Sequence, residues 1–252
     1  MTRRVLTPFL AAACLLLAPR ANASSAPAFS YAALDSVLKR HLEDGQLDYG
    51  ALARDPGPLH RFLAAARDAR PEGWSRDERF AFWVNVYNAR VLEGVIRRPG
   101  LKSVLDVGKI LRVPTLGFFR DPAVSGGRRL SLNDIEHRIL RKEFQDPRVH
   151  FVLNCASASC PVLPAQALTA AMLDSVLDAA TGAFLLDRSR NRIGPEPELG
   201  LSAIFKWYRD DFVKADGSVQ RFVRRHWAGT AVVAEDAPIR ILDYDWSLNG
   251  HW

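Results

Sequence analysis

Ser75-Arg-Asp-Glu78-Arg-Phe80-Ala-Phe-Trp83-Val-Asn85-Val-Tyr87-Asn88-Ala-Arg90 opens the clearest helix in the chain, and its reading decides the fold. Ser75 is placed to accept from the backbone at the third helical position, and Glu78 to reach back, completing a capping box. Pro99-Gly100 then stops the helix, so the spacing predicts residues 76–97. Trp83 and Tyr87, four apart, are expected in the core. Asn85 and Asn88 are three apart and share a helix face among apolar neighbours. Buried amides are costly unless they find partners. They are therefore expected to bond backbone groups or to orient a loop or ligand.

Outward from this helix, apolar periodicity predicts helices over 31–42, 59–66, 132–144, 166–184, 204–212 and 219–227. Ser131 is the expected cap of the helix over 132–144, with Asp134 in the capping-box position. Extended pieces are expected at 47–49, 149–153 and 239–244, a turn at Gly126-Gly127 and a hairpin over 191–201. The fold class that results is α+β, a helix-dominated single domain with a small antiparallel sheet. The hydrophobic share of 48% suffices for a core, and thirteen phenylalanines and six tryptophans are expected to carry much of it.

The N-terminus reads as an export signal. Arg3 and Arg4 precede an apolar run over 5–18, and Ala21-Asn22-Ala23 supplies a small-x-small cleavage pattern. Residues 1–23 are expected to be a cleaved signal peptide, 24–28 a flexible leader and 29–252 the globular domain. Lipidation at Cys14 is a weaker alternative, because Leu15-Leu16-Leu17 continues the apolar run beyond it. The expected location is periplasmic or secreted, with no membrane span after cleavage. Removing Arg3, Arg4 and Arg20 takes the net charge from +6 to +3. That balance gives no electrostatic support for nucleic-acid binding.

Chemistry is expected around His150-Phe-Val-Leu-Asn-Cys155-Ala-Ser-Ala-Ser-Cys160-Pro161. If 149–153 is a strand, alternation puts Cys155 with Phe151 and Leu153, and turns His150 to the other face. The small residues after Cys155, Ser157 and Ser159 among them, allow backbone N–H groups to converge on a thiolate or oxyanion. A thiol nucleophile also needs a base. On an α-helical wheel with Leu132 at zero, Glu136 falls at about 40° within the apolar stripe, and His137 at about 140° on its margin. This makes His137 the favoured base and Glu136 an orienting or charge-balancing group. The competing reading pairs Glu136 with an arginine and leaves His137 on the surface. In an oxidising compartment, Cys155 and Cys160 also invite a disulfide. Asp243 and Asp245 alone make a poor metal site, and no cofactor motif is present.

Five phrases resemble the family called domain of unknown function 547. They are Phe82-Trp-Val-Asn85-Val-Tyr-Asn88-Ala, Leu130-Ser-Leu-Asn-Asp-Ile-Glu136-His137, the run from Asp146 to Pro161, Leu201-Ser-Ala-Ile-Phe-Lys-Trp207-Tyr-Arg-Asp-Asp-Phe212 and Leu242-Asp-Tyr-Asp-Trp246-Ser-Leu-Asn249. The resemblance implies a single exported domain and picks out Glu136, His137 and Cys155 as shared features. It supplies no substrate. Three functions compete: a Cys155–His137 hydrolase or acyltransferase acting on an envelope peptide, amide or thioester; thiol-redox or small-thiol binding through Cys155 and Cys160; and a non-enzymatic envelope binding module.

Overall fold

The computed structural model describes residues 29–111 and 117–252; the expected signal and leader lie outside the described residues. The chain runs α1 (Ala32–His41), β1 (Leu42–Glu43), β2 (Gln46–Asp48), α2 (Tyr49–Arg54), α3 (Gly57–Asp68) and α4 (Arg76–Ile96). After the hairpin β3 (Ala123–Ser125) and β4 (Arg128–Leu130) comes a π-helix, Asp134–Phe144, and a 3-10 turn, Pro147–Phe151. The remainder is α5 (Leu173–Leu186), β5 (Leu199–Leu201), α6 (Ile204–Trp207), α7 (Arg209–Asp216), α8 (Val219–His226), β6 (Ile239–Ile241) and β7 (Gly250–His251). Among the described residues no helix is long and apolar enough to cross a membrane.

Helix α4 is the axis of the core. Its capping box is present, with Glu78 N–H donating to Ser75 Oγ and Ser75 N–H to Glu78 Oε2. From Phe80 to Leu92 the helix is buried on every side, and α2, α3 and the π-helix pack around it. Fully burying a large apolar side chain is worth roughly 1.5–3 kcal/mol. Truncating Phe82 to alanine should therefore cost about 3–5 kcal/mol, the usual range for a buried phenylalanine.

The expected sheet is dispersed into three small ones. β1 and β2 pair antiparallel, and β7 joins β2 in parallel, tying the end of the chain to its beginning. β3 and β4 form an antiparallel hairpin, and β5 pairs with β6 in parallel. Gly126 and Gly127 turn the hairpin at φ +56° and +70°. A Cβ on Gly126 would stand 2.8 Å from the Trp83 ring, so this turn requires glycine on both counts.

Several expectations shift. The helix expected over 166–184 starts only at Leu173, after a 3-10 turn at Ala170–Met172. The helix expected over 204–212 breaks at Tyr208 into α6 and α7. The strand expected over 149–153 is a 3-10 turn instead. Pro147 starts that turn while Asp146 Oδ1 accepts from Arg148 N–H, which winds the chain before it can extend. The turn joins two cores. Val149 and Val152 pack with α4, whereas Phe151 packs in a cluster with Phe184, Phe205, Phe212 and Phe222. The cysteine segment leaves from this seam.

Candidate functional site

The cysteine loop is clamped from below by asparagines. Asn88 on α4 donates to Val152 O at 2.8 Å and accepts from Asn154 N–H at 2.9 Å. Asn154 Oδ1 accepts from Ala156 N–H at 2.9 Å and from Asn249 Nδ2 at 3.0 Å, while its Nδ2 donates to Pro161 O. These bonds hold Ala156 at φ +62°, a left-handed conformation that costs a non-glycine residue of order 1–3 kcal/mol. Arg190 spans the far side, donating to Ala158 O and Cys160 O at 2.9 Å each. Ser159 Oγ accepts from Asp245 N–H at 2.9 Å, fastening the loop to the C-terminal segment. Asn85 makes the same two-point clamp on Leu168, at 2.8 and 2.9 Å, and so secures the backbone rather than the cleft.

Cys155 and Cys160 are joined by a disulfide. Cys155 is half-buried, and Cys160 is 3% exposed. Donors converge on the inner sulfur: Cys155 N–H lies 2.8 Å from Cys160 Sγ, Tyr244 Oη 3.3 Å and Ser157 Oγ 3.4 Å. The same two hydroxyls stand 3.4 and 3.1 Å from Cys155 Sγ. Ser157 Oγ also donates to Tyr244 Oη at 3.1 Å. Burial pushes the Tyr244 hydroxyl up to about 12; the bond from Ser157 and the charge of Arg190 oppose this, and the charge of Glu136 adds to it.

Both cysteines line a cleft of about 170 Å³. Glu136, His137 and His150 line it, as do Tyr87, Trp207, Tyr208, Tyr244 and Trp246. The α-helical wheel does not apply to the segment carrying Glu136, because a π-helix closes i→i+5 bonds and brings residues five apart onto one face. Glu136 and Arg141 accordingly both reach Tyr208. Tyr208 Oη donates a short hydrogen bond to Glu136 Oε1, and the Arg141 guanidinium stands 4.9 Å from the ring centre. Tyr87 Oη donates to Glu136 Oε2 at 3.2 Å, so this core tyrosine also serves the cleft. Burial, with the Glu136 charge behind it, holds both phenols well above the ordinary tyrosine value. Ser131 and Asp134 cap this helix reciprocally, as their spacing predicts, with Asp134 N–H donating to Ser131 Oγ and Ser131 N–H to Asp134 Oδ2.

The histidines are engaged elsewhere. His137 is exposed, and Arg141 Nη1 donates to its Nδ1 at 2.9 Å. His150 is buried and, contrary to the strand argument that turned it away from Cys155, lines the same cleft, because a 3-10 turn does not alternate. Its ring stacks on Tyr208 at 3.8 Å, and its Nε2 lies 2.8 Å from Asp211 Oδ2. Arg141 grips the same carboxylate at 2.6 and 2.9 Å. Burial pushes His150 below the ordinary histidine value despite the bond to Asp211. Burial alone would raise Asp211, but His150 and Arg141 outweigh it and hold the carboxyl far below its usual range.

Residues 71–185 match the family model described as Protein of unknown function, DUF547. Over this segment the chain is similar to the DUF547 family. No curated protein and no solved structure matches the chain. The DUF547 segment supplies the disulfide, Glu136, both histidines and Tyr87. The remaining wall, with Trp207, Tyr208, Tyr244 and Trp246, comes from beyond it. Sequence reasoning left out Tyr208, Asp211, Tyr244, Arg141 and Arg190. The mixed aromatic and charged run at 206–212 was the signal for two of them. Asp245 Oδ1 accepts from Ser247 N–H at 2.8 Å, and among the described residues no group of three or more metal-ligating side chains gathers.

Proposed function

We propose that this protein performs thiol–disulfide chemistry on a small molecule bound in the cleft, in the oxidising compartment that an export signal over residues 1–23 implies. One observation carries the reading: Cys155 is half-buried on the cleft wall, while the buried Cys160 sulfur accepts from the Cys155 N–H and shares the Ser157 and Tyr244 hydroxyls with the Cys155 sulfur. In exchange, an incoming thiolate attacks one sulfur and the other departs, faster the better its negative charge is stabilised. Here the thiolate would attack Cys155 Sγ, forming a mixed disulfide. The Cys155–Cys160 bond breaks, and its electron pair leaves on Cys160 Sγ, into the field of Cys155 N–H, Ser157 and Tyr244. A second thiolate then attacks the mixed disulfide, releasing an external disulfide and leaving two protein thiols. Another disulfide from outside must reoxidise them.

The test is to trap the intermediate. Cys160→Ser, treated with a small thiol and its disulfide, is expected to hold a mixed disulfide on Cys155 by mass. Cys155→Ser is expected to hold much less on Cys160. If the native disulfide resists small thiols until the chain is unfolded, the bond is structural and the proposal fails.

A second reading, a Cys155 hydrolase or acyltransferase, draws on the presence of Glu136 and His137 in the same cleft. It requires reduction first, and a base for Cys155, whose side-chain neighbours besides its disulfide partner are hydroxyls. Thioester hydrolysis by the reduced protein, abolished in Cys155→Ala and His137→Ala, would favour it over exchange.

A further inference from the structure

Glu136 is 7% exposed, yet its hydrogen-bond partners are two tyrosine hydroxyls, and among the described residues no lysine, arginine or histidine pairs with it within 4 Å. The nearby cations are committed. Arg141 is held by Asp211 and also bonds His137, and His150 bonds Asp211. Two neutral hydroxyls solvate a carboxylate without cancelling its charge, and a buried carboxylate with no cation in direct contact is unusual. This one lies on the lining of an open cleft rather than inside a sealed core.

The rest of the lining suits a cation. Trp207, Tyr244 and Trp246 line the same cleft with ring centres 4.7–5.6 Å apart and planes tilted by 34–58°. Trp207 is 45% exposed and Tyr244 touches the disulfide. Aromatic faces attract ammonium groups, tryptophan most strongly, and clustered rings are a recurrent device for binding quaternary ammonium. An anionic ligand would meet Glu136 with no uncommitted cation among the described lining residues to answer it.

We propose that the ligand of this cleft carries an organic ammonium group, set between the Glu136 carboxylate and the rings of Trp207, Tyr244 and Trp246. Resting on the thiol reading above, the reacting partner is then a small aminothiol or its disulfide, with the ammonium at Glu136 and the sulfur at Cys155.

Binding and reaction are measured separately on the full domain with its disulfide intact. In the first arm, tryptophan emission is titrated with choline and with 3,3-dimethyl-1-butanol, its neutral isostere. Choline is expected to bind at least about tenfold more tightly, an effect within the range of a desolvated cation–π and charge contact. The preference should collapse in Glu136→Gln, which keeps the size and an acceptor for the tyrosines, and weaken in Trp207→Leu, an exposed position that the fold tolerates. Transfer of magnetisation to the N-methyl protons gives a readout independent of fluorescence. Equal affinity for choline and its isostere overturns the proposal, as does a choline preference unchanged in both variants.

In the second arm, disulfide opening is timed with cysteamine, 2-mercaptoethanol and mercaptoacetate at equal thiolate concentration. Cysteamine is expected to be the fastest and mercaptoacetate the slowest, with the order erased in Glu136→Gln. Equal rates with no choline binding would refute the ammonium site and leave the exchange reading standing. Choline binding with no reaction by any thiol would refute exchange and leave the ammonium site standing.

Discussion

Replacing Asn88 by alanine removes two hydrogen bonds at once, both to buried backbone. Val152 O loses its donor at 2.8 Å and Asn154 N–H its acceptor at 2.9 Å. Val152 is fully buried, Asn154 is 3% exposed and Asn88 itself 5% exposed, so bulk water has no ready route to the stranded groups. A buried polar group left unsatisfied costs about 1–3 kcal/mol, and two of them with the small void left by the amide come to about 4 kcal/mol. For a domain of this size each kcal/mol moves the Tm by roughly 2–4 °C, so Asn88→Ala is expected to lower it by about 8–16 °C. Asn85→Ala strands the same pair of groups on Leu168 and should cost a similar amount. The two variants should differ in chemistry. Only Asn88 anchors the segment that leads into Cys155, so only Asn88→Ala is expected to speed reduction of the native disulfide, measured well below either Tm. Thermal unfolding followed by circular dichroism gives the first quantity, and timed reduction with alkylation gives the second. A stability loss under about 1 kcal/mol would show that water or relaxation satisfies the clamp, contrary to what burial implies. Equal reduction rates in the two variants would show that Asn88 does not control the loop.

Tyr244→Phe removes a hydroxyl 3.3 Å from Cys160 Sγ, and Ser157→Ala removes one at 3.4 Å. If they stabilise the departing thiolate, each should slow disulfide opening about five-fold, the worth of one ordinary hydrogen bond, whereas a faster reaction would mean that they merely shield the bond. His41 is buried with neither ring nitrogen hydrogen-bonded among the described residues, and burial holds it below the ordinary histidine value against the pull of Asp48 and Asp55. Such a group takes up a proton more readily when unfolded, so its stability is present above pH of roughly 6.5 and is lost as pH falls through the folded value. Urea midpoints should therefore fall from pH 7 to pH 5, and fall less in His41→Leu, while His150 and His226, also held low chiefly by burial, keep part of the slope. Identical slopes in the variant and the parent would rule out His41 as a contributor.

The sequence by itself determined what local physics controls. The Ser75–Glu78 and Ser131–Asp134 caps, the Pro99-Gly100 stop after α4 and the glycine turn at Gly126-Gly127 each act within a few residues, and each stands where its spacing puts it. The helix-dominated class follows from these. Apolar neighbours around Asn85 and Asn88 also announced that their amides must find partners, though not which ones: those partners lie 64 to 83 residues away. Tertiary structure alone decided the site. Pro147 and the Asp146 bond, both local, wound an apolar run that reads as a strand into a 3-10 turn, but only packing between elements set the buried His150 against Tyr208. The π-helix rotated Glu136 into line with Arg141 beside Tyr208, where an α-helical wheel would separate them. Tyr244, 84 residues beyond Cys160, closed over the sulfurs through long-range packing. Spacing in sequence sets which groups are neighbours along one element. Which groups face one another across a cleft depends on contacts between elements, and these form only when the two cores meet.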